Sequence, residues 1–183
     1  MNHRLAGLLV QSILASAGLL GGLTQPNASA SRTAKAAADQ EKLTKVVAEV
    51  RGAILGENVK ALLLHISRIV PLICTDTSFS YKEVELFLQH QDSHLYMSLF
   101  DSARFAASCG KKYPPAYPAI SDREFLATAN PGAAITSLGD GWEKVTLTSA
   151  VKGHYAREWY FHKEGRTWKL AGASLILGRC SCG

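Results

Sequence analysis

The chain has 183 residues and a formal net charge of +5, with 47% hydrophobic and 19% charged residues. That is room for a single folded domain plus a leader, and the balance excludes a disordered chain. The 20 Lys and Arg are scattered, with no run of five or six and no basic stripe interleaved with aromatics, so the charge reads as a solubility device and disfavours nucleic acid as a partner.

Met1-Asn2-His3-Arg4 is a short, weakly basic start, followed by an uncharged and mostly apolar stretch from Leu5 to Leu23. Pro26 breaks any helix, and Ala28-Ser29-Ala30 supplies the small residues that signal peptidase requires. A spanning helix needs about 20 predominantly apolar residues. The Gly21-Gly22 pair, the proline and the A-x-A site favour cleavage over anchoring. Residues 1–30 are therefore expected to be a signal peptide and 31–183 a single secreted or periplasmic domain, with no stable membrane span after cleavage.

In the mature part, Leu43, Val46, Val47, Val50 and Ile54 line one face of an amphipathic helix that Gly56 ends. Asn58 caps a second helix whose apolar positions Val59, Leu62, Leu63, Ile66 and Val70 run up to Pro71. Residues 72–79 read as one strand or as a loop carrying Cys74. Ser80 with Glu83 forms a capping box and opens a third helix to about His90. Residues 92–109 suit either helix or strand, and the prolines of 110–119 mark a loop. Ser121 with Glu124 opens a short helix to about Ala129. Four strands then follow at 133–138, 142–150, 154–162 and 166–177, separated by Gly-rich turns. Val145 shares a face with Leu147, and Trp159 with Phe161. Helices first and strands last predict an α+β fold, with N-terminal helices packed on a curved, cone-like C-terminal antiparallel sheet.

Two stretches carry a family resemblance. Residues 53–63 (AILGENVKALL) are similar to the corner between the first two helices of the nuclear transport factor 2-like superfamily, which includes ketosteroid isomerase. Residues 165–172 (GRTWKLAG) resemble its final strand with a buried Trp. The resemblance implies the cone-shaped fold; no residue of the isomerase's acid–base set is matched in this sequence, so no catalytic residue is carried over. The superfamily includes enzymes, binders and assembly modules, so the fold does not choose among them.

Four cysteines, Cys74, Cys109, Cys180 and Cys182, in an exported chain point to disulfides. A Cys180–Cys182 bridge closes a distorted small ring, so Cys74 and Cys109 are each expected to pair with one of the terminal two. Their spacing does not fit paired zinc knuckles, and no C-x-x-C redox motif is present. His90 and His94 are four apart, but Gln91-Asp92-Ser93 between them reads as a helix break, not as part of a metal clamp. His65 reads as a boundary residue, and His154 and His162 stand too far apart on one strand to share a ligand. Asp76, Asp101 and Glu158 are the carboxylates weighed for acid–base chemistry. Glu158 with Tyr160 forms the polar floor of a pocket if the strand face opposite Trp159 lines the cone. Tyr113 and Tyr117 lie in the proline loop, a place where binding residues collect. No hydrolase elbow, metalloprotease helix or phosphate loop is present, and no metal or cofactor is expected.

The leading expectation is a non-enzymatic secreted module that binds a small apolar ligand, or an envelope or extracellular protein, on the sheet's concave face. The alternatives are a small isomerase- or hydratase-type enzyme using a pocket carboxylate, and a structural envelope protein.

Overall fold

Small polar residues over 34–42 and the apolar periodicity from Leu43 onward run as one continuous helix, α1 (Ala28–Leu55), whose Leu43, Val47, Val50 and Ile54 are buried. The structure, a computed structural model, describes residues 28–74, 77–110, 120–129, 131–149, 151 and 156–174. The chain turns at Gly56-Glu57-Asn58, where Asn58 caps α2 (Val59–Leu63) by accepting a hydrogen bond from the Ala61 N–H at 2.9 Å. The A-x-A segment lies at the start of α1, and residues 1–27 are outside the described residues. No helix among the described residues is long and apolar enough to cross a membrane.

The second helix stops at Leu63 rather than running to Val70, which corrects the periodicity reading. The backbone of 65–67 instead pairs with a strand: the Leu170 N–H donates to the His65 carbonyl (2.7 Å) and the Ser67 N–H to the Leu170 carbonyl (2.9 Å). The Ser67 hydroxyl then accepts from the N–H groups of Ile69 and Val70, giving that backbone a non-helical way to be satisfied.

Two strands, β1 (Leu72–Cys74) and β2 (Thr77–Phe79), form a short hairpin before α3 (Tyr81–Gln89). The Ser80/Glu83 capping box is formed on both sides. The ambiguous stretch is two helices, α4 (His94–Phe100), capped by Ser93, and α5 (Ser102–Gly110). The break at 91–93 separates His90, which ends α3, from His94, which starts α4. Next comes α6 (Asp122–Ala129), with the Ser121 hydroxyl accepting from the Glu124 N–H.

The four C-terminal strands, β3 (Gly132–Gly139), β4 (Trp142–Thr148), β5 (Arg157–Glu164) and β6 (Thr167–Ser174), form the expected antiparallel meander. The sheet is nevertheless mixed, because β1 joins β6 in parallel, giving the order β2-β1-β6-β5-β4-β3. Register shifts at Ser137/Gly139 and Tyr160/Phe161 mark bulges, which bend and twist strands.

The helices cover one face of this sheet. Val145, Leu147, Trp159, Phe161, Trp168 and Leu170 point into that layer and share one apolar core with α1, α2, α3, α4 and α6. The fold is thus α+β, with helices packed against one side of an open, bent sheet.

Candidate functional site

Beneath the sheet, the core leaves very little space. The interior void bounded by Ile54, Leu62, Leu88, Leu99, Trp159 and Leu170 holds about 20 Å³. That is enough for about one water molecule, against the several hundred Å³ of an ordinary ligand site. One carboxylate reaches it, that of Asp122, whose residue is 1% exposed. The Arg157 Nε donates to Asp122 Oδ1 at 2.9 Å, and the Arg157 Nη2 donates to the Ile120 carbonyl at 3.0 Å. Arg157 also lies over the Phe125 ring, 5.0 Å from its centre. Burial pushes the Asp122 carboxyl above its ordinary range, and the Arg157 charge opposes that shift. The pair is a buried tie between α6 and β5, and its geometry leaves no space for a reacting molecule beside the carboxylate.

The roomy site lies outside, among the helices. A cleft of about 430 Å³ opens between the α1–α2 corner, α4, α5 and α6, lined by Glu57, Tyr96, Asp101, Arg104, Arg123 and Glu124 among others. Glu57 organises one wall. Its carboxylate accepts from the Tyr96 hydroxyl and from the Arg123 guanidinium. The bond from Tyr96 to Glu57, and then burial, raises the Tyr96 hydroxyl above its usual value. Glu57 holds φ at 51°, a left-handed conformation that costs a non-glycine residue energy and is found disproportionately at binding sites. Asp101 forms the floor between two helices, accepting from the Arg104 N–H at 3.0 Å, while the Arg104 Nη1 donates to the Gln91 carbonyl at 2.9 Å.

The other residues singled out by sequence fall in several places. Glu158 and Tyr160 do come together: the Glu158 carboxylate accepts from the Tyr160 hydroxyl at 2.7 Å and from Lys144 Nζ at 3.1 Å. These bonds hold the Glu158 carboxyl below its usual range, while burial, then the bond to Glu158, pushes the Tyr160 hydroxyl up to about 12. Both stand on the sheet face opposite Trp159 and Phe161, and they line neither the interior void nor the cleft. Tyr160 lies close over Gly172, where an added Cβ would meet Tyr160 Cβ at 3.1 Å and Cδ2 at 3.3 Å, so a larger residue there requires Tyr160 to shift by a few tenths of an ångström. His162 stacks on Trp142 on the same outer face, with ring centres 4.8 Å apart. His94 packs edge-on against Phe105, and burial lowers its pKa. His65 sits 3.7 Å from Glu49, its pKa lowered by burial and raised in part by that carboxylate. Among the described residues no three of His, Cys, Asp and Glu converge as metal ligands.

The disulfide expectation lies outside the described residues: Cys180 and Cys182 are not described, nor are the side chains of Cys74 in β1 and Cys109 in α5. Asp76, Tyr113, Tyr117 and His154 are likewise outside them.

Sequence reasoning passed over Asp122 and Glu57. Asp122 read only as part of a capping box. The signal that betrays it is Arg157, which shares strand parity with Trp159 and Phe161; a cation on the apolar face of a strand calls for a buried anion. Glu57 was visible as the middle of a tight corner, but its links to Tyr96 and Arg123 span 39 and 66 residues and leave no local trace.

Neither a protein-family profile nor a curated protein matches this chain. Solved structures do. One is an NTF2-like protein with a cystatin-like fold from Novosphingobium aromaticivorans, 12% identical, with the match covering 87% of this chain and 95% of that chain at a TM-score of 0.45. The fold class stands on the chain's own topology, and a likeness at this level says nothing of ligand or activity.

Proposed function

We propose that the mature chain is an exported, non-enzymatic binding module of the nuclear transport factor 2-like superfamily that engages a protein partner on its exterior. The observation that carries this reading is the filled interior. An isomerase or a carrier of apolar ligands needs a cavity beneath the sheet, and the described residues leave about 20 Å³ there, with the one carboxylate held by Arg157. A second reading, a small polar ligand held in the cleft, is favoured by the left-handed Glu57 and its ties to Tyr96 and Arg123. Export is supported by the A-x-A site at Ala28-Ser29-Ala30, and the even cysteine count supports two disulfides.

Native mass spectrometry of the protein recovered from the exported fraction, without reductant, tests this reading. The expected species begins at Ser31, is about 4 Da lighter than the all-thiol chain, and carries no apolar small molecule. A chain retaining its leader overturns export. An apolar adduct released on denaturation overturns the filled-interior reading and restores the carrier or enzyme.

A further inference from the structure

The two edges of the sheet are treated very differently. The β2 edge is three residues long and runs straight into the Ser80 cap of α3. The β3 edge is eight residues long, GAAITSLG, and exposed at every position except the half-buried Ile135. It contains no proline and no charge, the usual devices that stop a free edge from pairing. In an antiparallel pair, alternate residues aim their N–H and C=O away from the partner strand, so β3 offers a row of backbone donors and acceptors beyond β4.

Beside this edge runs a groove of about 390 Å³ between α1 and the sheet, lined by Ala36, Asp39, Leu43, Ile135, Ser137 and Glu143 and closed by Lys163 and Trp168. Its cation is already engaged: Lys163 pairs with Asp39 and lies 5.7 Å from the centre of the Trp168 ring. Glu143 has no ion-pair partner among the described residues, nor has Asp140 in the adjoining turn. Glu143 sits in register with Ser137 on β3. A strand added outside β3 would lie about 10 Å from β4. A Lys or Arg on it, directed toward α1, has the length to reach Glu143 across the small Ser137.

We propose that the β3 edge and its α1 groove form a strand-docking site for an extended segment of another protein, one that places a lysine or arginine opposite Ser137 and a small apolar residue beside Ile135. This rests on the protein-binding reading above and names the chemistry of the partner. Backbone pairing supplies the affinity, and the groove supplies the selection.

The test uses the mature chain and two fluorescent nine-residue peptides of alternating Thr and Val, one with Lys and one with Glu at its centre, in fluorescence anisotropy. The Lys peptide is expected to bind at least about fivefold more tightly than the Glu peptide, the size of an attraction exchanged for a repulsion at a partly exposed site. Glu143→Lys is expected to invert that order without changing the circular dichroism spectrum. The β3 amides are expected to gain hydrogen-exchange protection when the Lys peptide is bound. No binding of either peptide to the folded chain overturns the proposal, as does a preference that Glu143→Lys leaves intact. Self-association that the peptides compete away, and that Leu138→Lys abolishes, assigns the edge to a second copy and also overturns it. None of these failures bears on the filled interior, which the adduct measurement tests separately.

Discussion

The space beneath the sheet and the space between the helices differ in kind. Under the sheet, Trp159, Phe161, Leu147 and Leu170 meet α1 and α4 with almost no residual volume, and the charge pair there is tied through Asp122 Oδ1 while Oδ2 stays buried without a hydrogen-bond partner among the described residues. Between the helices, a cleft twenty times larger is lined by charged side chains and held by a backbone in a strained conformation. The first region has been spent on stability, the second kept open at some cost to it. Strain and exposed charge persist where the surrounding structure over-determines them, commonly at sites that meet another molecule.

Substitutions under the sheet give the largest effects. Trp159→Ala is expected to cost about 3–5 kcal/mol in urea unfolding, because a fully buried aromatic leaves a cavity that its neighbours fill only in part. Arg157→Met is expected to cost a similar amount, about 3–5 kcal/mol, by leaving Asp122 buried and unpaired. The double change Asp122→Leu with Arg157→Met is expected to recover most of that loss, to within about 1 kcal/mol of the parent. If the double variant is as unstable as Arg157→Met alone, the pair does more than compensate itself, and the account of the interior is wrong.

The cleft is expected to respond weakly. Glu57→Gly removes the hydrogen bond from Tyr96 and the pair with Arg123, but it also relieves the left-handed backbone. The two effects offset, so the melting midpoint corresponds to a change within about 1 kcal/mol. A loss as large as those under the sheet would make the cleft a structural joint instead of an open site.

The smallest effect is on the outer sheet face and depends on pH. Tyr160 and Lys144 lower the Glu158 pKa from its ordinary 4.5, so their stabilisation is present above that value and is lost as pH falls through the folded-state pKa. Urea midpoints measured near neutrality and near pH 3 are expected to fall less on acidification in Tyr160→Phe than in the parent. Equal slopes would mean that the bond to Tyr160 does not act on the ionised carboxylate.

The order of elements was readable because each was announced locally: Gly56 and Asn58 at the first corner, Ser80 with Glu83, Ser121 with Glu124, and the glycine turns of the meander. The strand parities of Val145, Leu147, Trp159 and Phe161 were equally local. Long-range competition was not readable. Ile66 and Ser67 continue a helical pattern, yet they pair with Leu170, about a hundred residues away, and nothing in residues 59–70 reports that strand's approach. The parallel seam of β1 on β6 was hidden for the same reason. The site followed this rule too. Glu158 and Tyr160 stood out as a polar pair on a strand, whereas Glu57, Tyr96 and Arg123 become a site only when the α1–α2 corner meets α4 and α6.

The claim that the interior is filled is tested most directly with an uncharged, steroid-sized apolar fluorophore, N-phenyl-1-naphthylamine, titrated against the folded chain while thermal unfolding is followed in parallel. The account predicts no saturable fluorescence gain and no rise in Tm. Saturable one-to-one binding with a stabilisation of about 2–3 kcal/mol at a hundredfold excess over Kd, abolished by Ala173→Phe in a variant that still folds, would place a ligand cavity beneath the sheet and contradict it.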